Sequence, residues 1–147
     1  MGKSVREAAM DLLSRREHSR FELQQKLQRK GHDAADIDTA LQQLVEDNLL
    51  SDERFVESFV HSRRERGSGP RKIAVELMQK GVSDALISRY LDDRSPLWIE
   101  RAAEVRVRKF GEAMPEDFKE KARQMRFLQQ RGFTTEQIQR VVREDDI

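Results

Sequence analysis

The chain has 147 residues, with 28 Lys plus Arg against 27 Asp plus Glu, a net charge of +1, and equal apolar and charged shares of 37%. So small an apolar share suits one small domain or a short array of small units rather than a large core. The balance of charge argues against a free acidic or basic tail, and the absence of Cys excludes disulfides, thiolate metal sites and Cys nucleophiles. No apolar stretch approaches the ~20 residues that cross a bilayer. The charged N-terminal segment does not read as a signal peptide, and a cytoplasmic protein is expected.

Punctuation predicts nine helices, over roughly 4–17, 20–30, 34–48, 52–66, 70–80, 84–92, 96–110, 116–131 and 135–145. Ser4 with Glu7, Ser19 with Glu22 and Thr134 with Gln137 have capping-box spacing, which satisfies backbone donors at a helix start. Ser51 precedes Asp52 and Glu53, whose charges suit a first turn. Pro70 and Pro96 stand at first-turn positions, where no donor is lost. Gly31, Gly67, Gly81, Gly111 and Gly132 close helices, most of them after Lys or Arg. No stretch alternates with period two, so no sheet is predicted.

Aligned on Gly31, Gly81 and Gly132, which stand 50 and 51 residues apart, the chain repeats itself. Lys30, Lys80 and Arg131 come one residue earlier, and Leu27, Leu77 and Leu128 four earlier. Leu23 and Ile73 come eight earlier; there the third copy has Gln124, with Met125 beside it. Ile37, Ile87 and Ile138 follow by six, and Leu41, Leu91 and Val142 by ten. Ala9, Phe59 and Phe110 come 22 earlier, and Arg6, Val56 and Val107 come 25 earlier. The apolar columns share one phase, and Leu23 with Leu27 and Ile73 with Leu77 lie one turn apart on one helix face. The pattern is an internal repeat of three helices per unit. One such unit has too few large side chains to be stable alone, so neighbours are expected to share contacts. The predicted fold is all-α: three tandem, helix-turn-helix-like trihelical repeats over 1–50, 51–94 and 95–147, elongated and able to curve.

At these residues the chain resembles the RecX family, bacterial regulators of the RecA recombinase. Three segments carry the resemblance: Ser19-Arg-Phe-Glu22-Leu23, Leu50-Ser-Asp52-Glu-Arg54-Phe55, and Gly67-Ser-Gly69-Pro70-Arg71-Lys72-Ile73. They look like the family's Ser-Arg-x-Glu-Leu, Leu-x-Asp-x-Arg-Phe and Gly-x-Gly-Pro-x-x-Ile patterns, in order and at matching spacing. The resemblance implies tandem three-helix repeats and no catalytic activity. It implies binding along the RecA–DNA filament with inhibition of its ATPase, strand exchange and coprotease activities, and so a role in recombination and the SOS response.

The densest basic run is Arg63-Arg64-Glu65-Arg66-Gly-Ser-Gly-Pro-Arg71-Lys72, five positive charges against one negative. The apolar stripe Phe55, Val56, Phe59, Val60 stops a turn earlier, so the arginines are expected to face solvent. Arg forks bind pairs of carboxylate or phosphate oxygens; the same residues would also complement a helix C-terminus. Arg106, Arg108 and Lys109 read as a second basic patch. Arg123, Arg126 and Arg131 read as a third, with Arg123 and Arg126 within one turn. The partner-binding candidates are Arg63, Arg64, Arg66, Arg71, Lys72, Arg123 and Arg126. Trp98 is expected to pack between units, and Phe127 and Phe133 in the core. His18, His32 and His61 lack ligand spacing, and no Gly-x-Ser-x-Gly turn or Walker loop occurs. No cofactor, metal or catalytic residue is expected. The expected partner is a RecA filament, with single- or double-stranded DNA as a further partner, bound by a monomer. The competing reading is a stand-alone DNA-binding protein of helix-turn-helix-like units, against which the charge of +1 speaks.

Overall fold

A computed structural model describes residues 2–142. Those residues form nine α-helices and no strand: α1 Val5–Leu13, α2 Arg20–Arg29, α3 Ala34–Glu46, α4 Asp52–Glu65, α5 Pro70–Gln79, α6 Asp84–Tyr90, α7 Leu97–Phe110, α8 Phe118–Arg131 and α9 Thr135–Val142. The predicted end of the last helix, residues 143–145, lies outside the described residues.

The caps act as their spacing demands. Ser4 Oγ accepts the Glu7 amide while Glu7 Oε1 accepts the Ser4 amide, both near 3 Å. Thr134 and Gln137 exchange the same pair of bonds at 3.2 and 2.9 Å. Ser19 Oγ accepts the Glu22 amide at 3.1 Å, but the Glu22 carboxylate turns elsewhere. The first helix stops at Leu13, four residues short of its predicted end. Residues 14–17 leave the helix because Arg16 reaches forward to Glu22 and His18 is buried.

The repeat columns are core. Leu27, Leu77 and Leu128 are fully buried, as are Leu23 and Ile73; Ile37, Ile87 and Ile138 and Leu41, Leu91 and Val142 are buried too. Burying one such side chain contributes ~1.5–3 kcal/mol. Three columns differ from expectation; in the one 22 residues before each glycine, Ala9 and Phe59 are buried and Phe110 is half-buried. In the column eight residues before each glycine, the buried residue of the third copy is Gln124 itself, with Met125 only half-buried. Gln124 Oε1 accepts from Arg106 at 3.3 Å and its amide donates to Glu120 at 3.0 Å, so a polar pair fills an apolar slot. The column 25 residues before each glycine is buried only at Val56; Arg6 and Val107 are exposed. In α7 the inward positions are Trp98, Ala102 and Arg106, which puts Val107 outside.

The described chain forms two compact units. The first comprises residues up to Phe59 with Leu77–Tyr90, and the second Val60–Glu76 with Leu91 onward. The core of the first is Ala8, Ala9, Leu12, Leu23, Leu27, Ile37, Leu41, Leu44 and Leu50. In the second, Trp98, Ala102, Leu128, Phe133, Ile138, Val141 and Val142 are buried, and Trp98 Nε1 donates to the Asp92 carbonyl at 2.9 Å.

Candidate interaction surface

In the second unit α4 ends at Glu65, and Gly67-Ser68-Gly69-Pro70 leads into α5; all four residues of that turn are buried. The cause is close backbone approach. The Gly69 amide donates to the Arg131 carbonyl at 2.7 Å and the Arg71 amide to the Gly132 carbonyl at 2.9 Å. A Cβ on Gly69 would lie 2.4 Å from the Gly132 carbonyl carbon. Orphan donors at the N-terminal end of α5 thus meet orphan acceptors at the C-terminal end of α8, and the two helix dipoles align favourably. Arg131 completes the turn: its Nη2 donates to the Arg66 carbonyl at 2.7 Å, over the bare face of Gly67.

This geometry sorts the basic run. Arg63 and Arg64 are half-buried rather than solvent-facing, because each head turns back onto a neighbouring side chain. Arg63 Nε lies 3.5 Å from Glu76 Oε1, and Arg64 Nη2 lies 3.4 Å from His61 Nδ1. Arg66, Arg71 and Lys72 are exposed. Arg71 and Lys72 share a hollow with Val75, Gln129, Gly132 and Phe133. Arg71 also faces Arg94, Ser95 and Thr134 across a second hollow of about 370 Å³. Arg94 carried no signal in the sequence; only the end of α6 and the start of α9 bring it there.

The third patch divides as well. Arg123 and Arg126 are both exposed on α8. Arg123 grips Glu120 with Nε and Nη2 at 2.9 and 3.0 Å, which holds the Glu120 carboxyl below its ordinary range. Its guanidinium carbon stands 4.8 Å over the Phe110 ring, while Lys109 and Arg131 lie 5.5 and 5.8 Å over Phe127. Phe110 and Phe127 meet edge to face at 5.3 Å, and Phe127 is half-buried rather than core. Arg106 is not part of a surface patch. It is 2% exposed and donates to the carbonyls of Glu112 and Ala113, each at 3.2 Å. It pins the segment between α7 and α8.

In the first unit a charge cluster appears that the spacing did not announce. Glu22 is buried. It accepts from Arg16 Nη1 and Nη2 at 3.1 and 2.6 Å and from Lys80 Nζ at 3.1 Å, with Lys26 Nζ at 4.0 Å. Burial alone would raise its carboxyl; the bonds from Arg16 and Lys80 outweigh that and bring it down to about 2. His18 is buried beside it, with Nδ1 3.1 Å from the Arg16 carbonyl and Nε2 2.9 Å from Lys26 Nζ. Nδ1–H therefore donates, and Nε2 accepts from the ammonium. Burial keeps the ring neutral and lowers its proton affinity.

Among the described residues no group of three or more His, Asp or Glu could hold a metal ion. No described helix is long and apolar enough to cross a membrane.

Three family models match the chain in order: the first three-helix domain of RecX over residues 6–44, the second over 51–91 and the third over 99–142. The chain is 50% identical over 136 residues to the regulatory protein RecX of Halorhodospira halophila, covering 92% of this chain and 84% of that one. It is 45% identical over 139 residues to the regulatory protein RecX of Pseudomonas syringae pv. tomato, covering 95% and 90%. The crystal structure of RecX from Lactobacillus salivarius superimposes with a TM-score of 0.79 at 20% identity, over 95% of this chain and 93% of that one.

Proposed function

The chain belongs to the RecX family of regulatory proteins, and from that membership we propose that it binds the RecA–DNA filament and lowers its ATPase, strand-exchange and coprotease activities. In this reading it modulates recombination and the SOS response as a cytoplasmic binding protein without catalysis of its own. The match of all three domains, in order, to a family of named regulators carries the reading.

The surface offers a means. Exposed Arg71 and Lys72 border the hollows of the second unit, with Arg94 facing Arg71, and Arg66 is exposed as well. Arg123 and Arg126 add exposed charge on α8. Such groups meet carboxylates and phosphates, and several weak contacts along a filament add through effective concentration. Occupying a groove of the filament would impede the second DNA strand and the subunit motions tied to ATP hydrolysis. The repeat boundaries at residues 50 and 94 are proposed as the limits of the modules that make these contacts.

The test is RecA ATPase on single-stranded DNA against added protein, wild type and Arg71→Glu/Lys72→Glu. Both residues are exposed, so a stable fold is expected, checked by circular dichroism. Wild type should inhibit and the double variant should inhibit less, with the gap narrowing as salt screens the charges over ~8–10 Å. No inhibition by wild type, together with tight, salt-dependent binding to DNA alone, would overturn the reading in favour of a stand-alone DNA-binding protein.

A further inference from the structure

The third repeat builds a polar connection from its core to one surface side chain. Eight residues before the aligned glycine, the first two copies bury Leu23 and Ile73 and the third buries Gln124. An amide in an apolar slot is costly unless both its ends are bonded, and both are. Gln124 Oε1 accepts from Arg106 Nη1 at 3.3 Å, and Gln124 Nε2 donates to Glu120 Oε2 at 3.0 Å. The orientation has no alternative, because a guanidinium only donates and a carboxylate only accepts. Among the described residues, buried Arg106 bonds only the Gln124 amide and the backbone carbonyls of Glu112 and Ala113. The amide therefore links a buried cation to Glu120.

Glu120 in turn holds Arg123 in a fork: Nε donates to Oε1 at 2.9 Å and Nη2 to Oε2 at 3.0 Å. The Phe110 ring backs the guanidinium at 4.8 Å. Arg123 is thus fixed at one edge by a carboxylate that the core steadies, and over one face by a ring. At the same place in the first two copies, Glu22 and Lys72 lie against the helix end of the copy that follows. Arg123 instead faces solvent, with its side chain 57% exposed. A surface residue supported from the core in this way is pre-organised for contact.

What the support leaves open defines the ligand. Nε and Nη2 are engaged, and the Glu120 carboxylate repels an oxyanion at that edge. The face turned away from Phe110 remains. Two exposed cations flank it without an ion pair to any described residue. One is Arg126, three residues on; the other is Lys109, 5.5 Å over Phe127, whose ring meets Phe110 edge to face at 5.3 Å. A single nucleic-acid strand matches both features at once. Its flat bases stack on guanidinium planes, and the phosphates beside each base meet cations. An aromatic side chain would cover the face and leave the cations unmatched. A carboxylate would match a cation and leave the face bare. A duplex keeps its base faces within the stack.

We propose that Arg123 is a nucleobase-stacking residue, with an unpaired base of a single strand on its open face and the adjoining phosphates on Lys109 and Arg126, and that Glu120, Gln124 and Arg106 position it. That the strand is the filament's own DNA rests on the reading above; the stacking chemistry does not.

The experiment measures binding of the full-length protein, by fluorescence anisotropy, to a labelled oligothymidylate, to an abasic strand of the same length, and to the oligothymidylate paired with its complement. Wild type should prefer the oligothymidylate to the abasic strand by roughly five- to fiftyfold, the effect of one stacked base, and should bind the duplex no better than the abasic strand. Arg123→Lys keeps the charge and removes the plane, so the preference should fall to about one with abasic affinity unchanged. Gln124→Leu restores the apolar residue of the other copies and cuts the connection, so the preference should fall several-fold at unchanged helicity. Glu120→Ala tests the same point without touching the core. Charge alone would make it bind every strand more tightly, whereas loss of the fork lowers the preference for bases. Equal binding of the two single strands by wild type, no binding of either, equally tight duplex, or an unchanged preference in Arg123→Lys would overturn the stacking site. An unchanged preference in Glu120→Ala would overturn the positioning role. RecA ATPase on single-stranded DNA, with wild type and Arg123→Lys, separates the partner from the chemistry. Weaker inhibition by the variant without strand binding by wild type would give this surface to an acidic face of the filament protein and overturn the nucleic-acid site. A wild-type protein that leaves the ATPase untouched would overturn the filament reading, and the strand preferences would still decide the stacking site.

Discussion

Two joints, the start of α2 on the end of α5 and the start of α5 on the end of α8, occupy the same place in the repeat and are made of different matter. In the first unit the contact is largely side chain: a serine hydroxyl, a buried carboxylate, three cations and a phenyl ring. In the second it is backbone on backbone, with Gly69 against Gly132 and two main-chain bonds of 2.7 and 2.9 Å. What the repeat conserves is the meeting of a helix start with a helix end. That meeting satisfies orphan donors and acceptors together, whichever atoms make it. The consequence is that only the first joint responds to pH and charge substitution, while the second is the more sensitive to added volume.

The sharpest way to break the comparison is to add one methyl group at each aligned glycine. All three have φ between +75° and +103°, so Ala carries a common strain of ~1–2 kcal/mol at each. At Gly132 the methyl also meets Lys72 Cβ at 2.4 Å and the Lys72 backbone nitrogen at 2.7 Å, and backbone in a buried turn cannot step aside. Gly132→Ala should destabilise by ~3–4 kcal/mol, the upper part of the overpacking range with strain added. Gly81→Ala meets Phe21 side-chain atoms from 2.5 Å and should lose ~2–3 kcal/mol. Gly31→Ala meets nothing described beyond its chain neighbours and should lose only the strain, ~1–2 kcal/mol. Urea unfolding midpoints rank the three; a Gly31 variant as damaged as the Gly132 variant would show that close approach is not what distinguishes the joints.

The joints also show what could be read from the chain and what could not. Nine helices, their caps and the buried columns were legible because each depends on neighbours within one or two turns. The exceptions share a cause. Gln124 looked like a break in the pattern, and Arg106 like surface charge; each is buried because the other satisfies it, 18 residues away. Glu22 looked like a capping-box residue, and its spacing was right, but Arg16 and Lys80 outbid the cap. Gly67-Ser68-Gly69-Pro70 read as a loop between arginines. Its burial depends on Arg131 and Gly132, more than 60 residues on. The candidate surface was legible as composition only: exposure separated Arg71 and Lys72 from Arg63 and Arg64, and exposure is set by packing.

Acid should separate the two joints next. Glu22 has its folded value lowered to about 2 from 4.5. Its contribution is therefore full above about pH 4.5 and is lost as the pH falls from there toward 2. After discounting for half-exposed Arg16 and Lys80, that contribution is ~2 kcal/mol. His18 is also lowered, by burial first, from 6.5. A buried neutral ring binds fewer protons than the unfolded one, so stability begins to fall as the pH drops below about 6.5. No carboxylate or imidazole takes part in the backbone contact of Gly69 with Gly132. On acidification, far-UV circular dichroism should begin to change before the emission of Trp98, the single Trp, which lies in the second unit. Glu22→Gln should lose ~2 kcal/mol at neutral pH and flatten the profile between pH 4.5 and 2. Coincident transitions, with a Gln variant as acid-sensitive as wild type, would place the acid response elsewhere.

The smallest effect expected comes from exchanging the cations that precede the glycines. Lys80 acts as a point charge: Nζ bonds Glu22 at 3.1 Å and the side chain is 36% exposed. A guanidinium delivers the same charge to the same carboxylate, so Lys80→Arg should stay within ~0.5 kcal/mol of wild type, as surface changes do. Arg131 uses its shape. Nη2 reaches the Arg66 carbonyl at 2.7 Å while the guanidinium stands 5.8 Å over Phe127 and covers the bare face of Gly67. A lysine has one compact head and cannot hold the carbonyl and the ring in one plane. Arg131→Lys should therefore lose ~1 kcal/mol, the worth of one hydrogen bond with a weak cation–ring contact. Trp98 emission and circular dichroism, followed together through urea, measure both variants at neutral pH. Equal losses in the two would mean that Arg131 serves its joint by charge alone, as Lys80 does, and the distinction between a joint of charges and a joint of backbone would fail at the residue where the two repeats are most alike.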